Sequence, residues 1–186
     1  MILMRHGESE FNVVYGATRT DPGIRDPKLT PQGRDQVAAA AAAIGEQDIP
    51  VRRLVASPYT RALESASILA EALDVPITIE PLLRERFAWT CDIGTPSSTL
   101  AAAWPDLRFP DMPERWWPED EEHGHHVEAR ANDFHRSMAA DPDHGETLVV
   151  SHWWFIRALS GAELPNAAMV KVRLAPVVEV VSHPHP

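Results

Sequence analysis

The sequence predicts an α/β fold, a three-layer sandwich in which a mostly parallel sheet is flanked by helices. Two observations lead to this class. Short apolar runs alternate along the chain with longer stretches that have helical periodicity and helix caps. The chain has 186 residues, of which 44% are hydrophobic and 24% charged, as in an ordinary soluble domain. We therefore expect residues 1–186 to form a single domain.

The first strand and the first helix have clear boundaries. Residues 1–4 are a continuous apolar run that ends before Arg5, which is typical of a buried central strand. Thr30 is an N-cap residue, Pro31 suits the first helical position, and Gly45 suits the C-cap. These signals predict a strand over 1–4 and a helix that begins at Pro31 and ends at Gly45.

Two further strands flank a second helix. Residues 52–56 form another short apolar run, and Ser57-Pro58 is predicted to open a helix with an inward stripe of leucines. Residues 77–80 predict a third strand, and the chain after it, through Glu85, is predicted to be a loop. Strand and helix therefore repeat in order.

Residues 89–126 interrupt the alternation and are predicted to form a lid or insertion. Prolines break up regular structure there. They are Pro96, Pro105, Pro110, Pro113 and Pro118. The same segment holds Trp89, Trp104, Trp116 and Trp117. These rings either pack in the core or lid, or line an apolar part of a site.

The alternation returns after the insertion. Residues 127–140 have helical periodicity, and residues 147–150 are a β-branched run too short for a helix. A helix is predicted to follow His152 and to end near Gly161. Four strands are thus each followed by polar residues or a loop.

The end of the chain predicts antiparallel edge strands. Residues 170–174 and 177–181 alternate in hydrophobicity around Ala175-Pro176, a plausible turn pair. Residues 182–186 are expected to be a loose tail.

Polar side chains follow the four parallel strands, and we expect them to meet. Ligands of open α/β sheets bind beyond the carboxyl ends of the strands. The residues at these ends are Arg5 and His6 after the first strand, Ser57 and Arg61 after the second, Glu85 after the third and His152 after the fourth. The sequence therefore predicts one crevice that contains two guanidinium groups, two imidazoles and a carboxyl group.

This set of groups suits a phosphate ester. Guanidinium forks match phosphate oxygens and keep their charge, so Arg5 and Arg61 would hold a phosphoryl group. A neighbouring arginine lowers the pKa of an imidazole, which keeps His6 neutral and able to act as a nucleophile. Glu85, in a partly desolvated pocket, could protonate the leaving alkoxide and afterwards activate water. This chemistry requires no metal or other cofactor.

Four segments resemble those of a known family, in the same order along the chain. They are Leu3–Asn12 with Arg5-His6-Gly7 at its centre, Ala56–Ala62, Leu83–Glu85 and Val149–His152. These segments resemble the signature blocks of the histidine phosphatase, or phosphoglycerate mutase-like, superfamily. The resemblance implies His6 as the phosphorylated nucleophile, Glu85 as the proton donor, and Arg5, Asn12, Arg61 and His152 as the phosphate pocket.

The chain departs from the family at the second histidine. Another branch takes its acid from an aspartate directly after that histidine, where this chain has Trp153, so Glu85 is the better candidate. Family members often have glycine there, whereas Trp153 and Trp154 could narrow the pocket or stack on a substrate.

Other interpretations remain for two of these residues and for the reaction. Glu85 could form a surface ion pair with a flanking arginine, and Asn12 could cap a turn. We favour hydrolysis of a small phosphate monoester over a phosphoglycerate mutase, which calls for extra basic residues. The third alternative is an inactive partner-binding module in which Trp153 and Trp154 block the pocket. The pattern specifies neither the natural substrate nor the oligomeric state.

Histidines in the insertion raise the question of a metal. His123, His125 and His126 follow an acidic run at residues 119–122. Imidazoles beside carboxylates can ligate a divalent cation. The spacing matches no closed structural site, and an acidic solvated surface is the more common reason for such a run. We therefore expect no metal site.

Charge and cysteine content exclude several partners. The 17 basic and 27 acidic side chains give a net charge of -10, which repels a nucleic-acid backbone. Cys91 is the only cysteine, so no intramolecular disulfide forms, and we expect this thiol to be buried in a cytoplasmic protein. The apolar run at 1–4 is too short to enter a membrane.

Overall fold

The structure, a computed structural model, describes residues 1–47, 49–109 and 112–174. Its strands are β1 (Ile2–Arg5), β2 (Arg53–Ala56), β3 (Ile77–Ile79), β4 (Thr147–Ser151) and β5 (Met169–Lys171). They form one sheet in the order β3-β2-β4-β1-β5. All neighbours pair in parallel except β5, which is antiparallel to β1. The predicted α/β class with a mostly parallel sheet is confirmed.

Helices cover both faces of this sheet. They are α1 (Glu10–Thr18), α2 (Pro31–Glu46), α3 (Thr60–Leu73), α4 (Ser97–Ala103), α5 (Gly124–Ala139) and α6 (Trp153–Ser160). Successive strand residues point to opposite faces. Met4 therefore packs in a core with α2 and α3, while Leu3 packs in a second core with α5 and α6. Two apolar cores on opposite sides of one sheet give the three predicted layers.

Helix α1 was not predicted. Ser9 caps it, and the Asn12 side chain in turn accepts from the Ser9 amide, which completes a capping box. Only Phe11 of this helix is buried. The helix therefore lacks the apolar periodicity from which the other helices were predicted, and Gly16 in its middle weakens the signal further.

Three predicted helix boundaries were wrong. The helix expected over 127–140 begins earlier, at Gly124, inside the predicted insertion. The prediction that the first helix ends at Gly45 fails, because α2 continues through Glu46 and its C-cap is Gln47. The prediction that Ser57-Pro58 opens the next helix also fails. The Ser57 amide donates to Val150 O at 3.1 Å and extends the sheet by one residue, so α3 begins only at Thr60.

The edge strand and the insertion also differ from expectation. β5 is antiparallel, as expected, but it covers Met169–Lys171 and not 170–174. The turn at Ala175-Pro176, the strand expected at 177–181 and the tail at 182–186 lie outside the described residues. The segment 89–126 contains a 3-10 turn at Thr90–Asp92 as well as α4. Within the described ranges, no helix is long and apolar enough to cross a membrane.

Two glycines allow the turn after β1 to lie directly against α2. A Cβ on Gly33 would lie 2.0 Å from the Glu8 carbonyl oxygen, and one on Gly7 would lie 2.4 Å from the Gly33 oxygen. The Thr30 amide also donates to Glu8 O at 2.9 Å. Because backbone meets backbone here, no side chain can be added without moving the turn that follows β1.

We expect Gly33→Ala to lower the free energy of unfolding by about 1–3 kcal/mol, since the added methyl overlaps the backbone of Glu8. Gly45→Ala in the same helix is the control. No atom lies within 4 Å of a Cβ at that position, so alanine should stabilise the protein by up to about 1 kcal/mol. Chemical denaturation measures both; equal stability of the two variants would contradict the proposed close approach.

Candidate active site

The two histidines meet because their strands are neighbours. β1 and β4 pair in parallel with Arg5 opposite Ser151, and the next residue of each strand is a histidine. The His6 amide donates to Ser151 O at 3.0 Å. The rings of His6 and His152 lie 5.1 Å apart between centroids, and both residues are buried. The sheet register thus sets the centre of the site.

A backbone carbonyl fixes the protonation of His6. Its Nδ1 lies 2.7 Å from the Gly7 oxygen, which can only accept, so Nδ1 carries the proton. Burial, followed by the positive charges of Arg61 and Arg5, holds the pKa of His6 well below its usual value. Nε2 therefore keeps its lone pair at neutral pH.

A serine hydroxyl orients His152. Ser57 Oγ lies 2.8 Å from His152 Nε2 and also accepts from the Tyr59 amide at 3.5 Å; the hydroxyl donates to the ring or accepts from it according to the imidazole tautomer. His152 Nδ1 is buried without a hydrogen-bond partner among the described residues. Burial, followed by the charge of Arg61, holds the pKa of His152 well below its usual value.

The two arginines are held by different partners. Arg5 donates from NH1 to Leu164 O at 3.0 Å, while its Nε has no partner among the described residues. Arg61 is buried, donates to Cys91 O at 2.8 Å and forms an ion pair with Asp92 at 3.2 Å. Its guanidinium also lies over the Tyr59 ring, 4.5 Å from the centroid.

Asp92 is a member of the site that the sequence did not indicate. Its side chain is 1% exposed, and its Oδ2 accepts from the amides of Ala88 and Trp89 at 3.1 and 3.0 Å. The carboxylate therefore connects Arg61 to the backbone of the insertion. Cys91, next to it, is buried as expected, and burial raises the pKa of its thiol.

Glu85 lies at the N-terminus of α6 and has a raised pKa. Its carboxyl oxygens accept from the amides of Arg86 and Trp154 at 2.8 and 3.1 Å. Burial and then the negative charge of Asp92 raise its pKa to about 7, against the lowering effects of the Arg86 amide and the arginines.

Among the described residues, Glu85 forms no ion pair with the arginines that flank it. The flanking Arg84 and Arg86 face other carboxylates, Glu122 at 3.1 Å and Glu121 at 3.8 Å. The loop that carries Glu85 is held by α5, because Arg130 donates to the carbonyls of Leu82 and Arg84 at 2.8 and 2.6 Å.

Asn12 has the capping role that was one of its two predicted roles, and part of its amide lines the cavity. Its Oδ1 accepts from the Ser9 amide and hydroxyl at 3.0 Å each and from Asn166 Nδ2 at 3.1 Å. These three donors identify the oxygen of the amide. Asn12 Nδ2 is therefore the atom left to donate to a ligand, while Oδ1 caps α1. The sequence did not indicate Asn166, and it placed Ser57 in the crevice without a chemical role.

The predicted residues surround one cavity of about 210 Å3. Its lining includes Arg5, His6, Asn12, Arg61 and Glu85, together with Asp92, Trp153 and Trp154. His152 lies behind this lining and contacts it through the His6 ring. The two tryptophans form part of the wall and leave the cavity open.

The histidines of the insertion pack against one another. The rings of His123, His125 and His126 pack on one another, with His125 and His126 4.0 Å apart between centroids. In the part of the chain that the structure describes, no three His, Cys, Asp or Glu side chains are grouped to hold a metal ion.

Comparison with known sequences assigns a family. The family model described as "Histidine phosphatase superfamily (branch 1)" matches residues 1–182. A probable phosphatase of Schizosaccharomyces pombe is 26% identical over 111 residues, which cover 58% of this chain and 50% of that protein. A probable phosphoglycerate mutase GpmB of Proteus mirabilis is 28% identical over 182 residues, covering 92% of this chain and 78% of that protein. The match thus spans only half of the yeast relative.

Solved structures share the fold. The mycobacterial glucosyl-3-phosphoglycerate phosphatase, in complex with VO3, has a TM-score of 0.64 at 23% identity and covers 91% of this chain and 88% of that one. The ecdysone phosphate phosphatase of Bombix mori, in complex with tungstate, has a TM-score of 0.68 at 16% identity. It covers 100% of this chain and 96% of that one.

The coupling of Glu85 to Asp92 can be measured directly. We expect the Glu85 carboxyl of the wild type to titrate with a pKa of about 7. In Asp92→Asn the pKa of Glu85 should be lower, because a neutral amide at position 92 no longer disfavours the ionised form of Glu85. Carbon-detected NMR titration, with the resonance assigned through Glu85→Gln, gives both values. Asp35→Asn, an exposed change on α2, should leave the titration unchanged. An unaltered pKa in Asp92→Asn would contradict the coupling.

Proposed function

Because the chain belongs to the histidine phosphatase superfamily, we propose that it hydrolyses a small phosphate monoester through a phosphohistidine on His6. One observation carries this proposal. Two uncharged imidazoles lie beside two guanidinium groups, and the His6 Nδ1 proton is bound to a carbonyl, so Nε2 is free to attack phosphorus. The relatives named phosphatases support the same reaction class.

The first half-reaction transfers the phosphoryl group to the enzyme. Nε2 of His6 forms a bond to phosphorus as the bond between phosphorus and the ester oxygen breaks. Arg5 and Arg61 stabilise the charge on the equatorial oxygens. Glu85, with a pKa of about 7, gives its proton to the departing alkoxide, which leaves as an alcohol.

The phosphate oxygens have two further donors. Three donors occupy Asn12 Oδ1, so Asn12 Nδ2 remains as a donor. His152 Nδ1 has no partner among the described residues, and it is a donor when the Ser57 hydroxyl donates to Nε2. Both atoms belong to neutral groups, so they bind the transferred phosphoryl group without adding charge. We assign Arg5, Asn12, Arg61 and His152 to the phosphate pocket.

The second half-reaction releases phosphate. The Glu85 carboxylate accepts a proton from water as the water oxygen attacks phosphorus. The bond between phosphorus and Nε2 then breaks, and the electron pair returns to the imidazole of His6. Inorganic phosphate leaves, and Glu85 is again protonated for the next turnover.

The charges around the cavity favour hydrolysis over a phosphoglycerate mutase. A mutase must also hold a second anionic group of its substrate. The cations in the lining are Arg5, Arg61 and Arg86. Arg86 lies over the Trp154 ring, 4.5 Å from the centroid, and 3.8 Å from Glu121. Since Arg61 is also paired with Asp92, little positive charge remains for a second anion.

We also propose a domain organisation, a cellular compartment and a class of partner. Residues 1–186 would form one domain, with 89–126 as a lid, because Trp89, Cys91 and Asp92 of this segment line the cavity. A reducing cytoplasm suits its single free thiol, and a net charge of -10 disfavours nucleic-acid partners. The partner is a small phosphorylated molecule.

The nucleophile is tested by removing it. We expect His6→Ala to abolish phosphate release from a panel of phosphorylated metabolites and aryl phosphates, since no other group at this position can accept the phosphoryl group. His135→Ala on α5 is a matched histidine control and should retain wild-type turnover. Equal phosphate release by His6→Ala and the wild type would contradict the mechanism.

The same assay separates the mutase from the hydrolase. With 3-phosphoglycerate as substrate, formation of the 2-isomer without release of inorganic phosphate would identify a mutase. If wild type and His6→Ala are both inert on the whole panel, an inactive binding module is the better interpretation.

The proton donor is tested through the leaving group. Glu85→Gln should lower kcat on an alkyl phosphate by about 10²- to 10⁴-fold but have much less effect on p-nitrophenyl phosphate, whose anion leaves without a proton. In the wild type, kcat/KM for the alkyl ester should fall above about pH 7, where Glu85 loses its proton. An equal loss on both substrates would contradict the role of Glu85 as acid.

A further inference from the structure

Aromatic rings from three parts of the chain line the cavity. We call this set the aromatic collar. Its members are Phe11 and Tyr15 of α1, Trp89 of the insertion, and Trp153 and Trp154 of α6. Phe11 and Tyr15 stack at 5.2 Å between centroids, and Trp89 lies 5.4 Å from the Tyr15 ring. An aromatic group that entered here would meet preformed π surfaces.

Two rings of the collar, Trp153 and Trp154, are held by neighbouring side chains before any ligand arrives. Arg86 and Arg157 lie over the Trp154 ring at 4.5 and 5.3 Å, and Arg157 also lies over Trp153 at 5.2 Å. Trp153 and Trp154 are themselves edge to face at 4.9 Å. Rings that are already held lose little conformational freedom when a ligand binds, so their contact area contributes to affinity.

Exposed apolar surface is concentrated in the segments that carry the collar. Among the described residues, the large hydrophobic side chains that are exposed are Val13, Val14 and Trp89. Val13 and Val14 belong to α1, and Trp89 is 41% exposed although it lines the cavity. Exposed apolar groups beside a cavity that also holds charged side chains are typical of a surface that recognises a ligand.

The size and charge of the cavity restrict what lies beyond the phosphate. A volume of about 210 Å3 is below the roughly 300–1,000 Å3 of pockets that bury a drug-sized ligand. No lysine is present in the lining that the structure describes, and Arg86 already faces Trp154 and Glu121. The site is therefore suited to an uncharged leaving group about the size of one ring.

Building on the proposed hydrolase activity, we propose that the substrate is a phosphate monoester of a small aromatic alcohol or phenol whose ring packs against Tyr15 and Trp89. The phosphate lies on the Arg5 and Arg61 side of the cavity, and the ring lies in the aromatic collar. Because the ring contacts are made in both the bound substrate and the transition state, they act mainly on KM.

The test compares three alkyl phosphate esters whose leaving groups all need a proton from Glu85. Benzyl phosphate, ethyl phosphate and 3-phosphoglycerate all release an alkoxide, so differences in kcat/KM report contacts with the leaving group. We expect benzyl phosphate to exceed the other two by at least about tenfold, as one stacked ring would give. Trp89→Ala should lose about tenfold on benzyl phosphate, mainly through KM, and less than about twofold on ethyl phosphate.

Trp89→Phe is the matched control, because it keeps a ring at the same position and should keep most of the preference. Equal kcat/KM values for the three esters, or an equal loss on all of them in Trp89→Ala, would overturn this proposal while the hydrolase assignment stands. Inertness on every ester would instead overturn the hydrolase assignment. A higher kcat/KM on a phosphotyrosine peptide than on free phosphotyrosine would overturn the assignment to a small molecule.

Discussion

The parallel pairing of β1 and β4 is the constraint on which the site depends. Parallel strands end at the same edge of a sheet, so the residues that follow Arg5 and Ser151 must be neighbours. A shift of one position in this register would separate the imidazoles of His6 and His152 and break the hydrogen bond from the His6 amide to Ser151. The other groups of the cavity are arranged around these two rings.

Burial of charge gives the site its protonation states. Removing a guanidinium from water is costly unless a partner compensates, and Asp92 compensates Arg61. The same carboxylate helps to keep the proton on Glu85, while Arg61 keeps the proton off both imidazoles. The Arg61–Asp92 pair therefore supplies one charge that lowers the pKa of His6, the proposed nucleophile, and one that raises the pKa of Glu85, the proposed acid.

Periodicity and short motifs predicted much of this molecule but not all of it. The strands and the α2, α3, α5 and α6 helices follow from apolar runs and caps, and the residues after the strands follow from parallel topology.

Helix α1 buries only Phe11 and so leaves no periodic signal. Asp92 lies in a proline-rich segment, and its partner Arg61 is far away in the chain. Ser57 and Asn166 act through hydrogen bonds that only the folded chain makes. The metal-free chemistry and the catalytic roles remain predictions.

Cys91 has a consequence for chemical resistance. Its carbonyl binds Arg61, yet its sulfur stays a thiol because burial disfavours the thiolate. Peroxide and alkylating reagents attack thiolates, so they have little to react with here. We therefore expect the proposed reaction, with an imidazole as its nucleophile, to continue under oxidants that inactivate phosphatases with a catalytic cysteine.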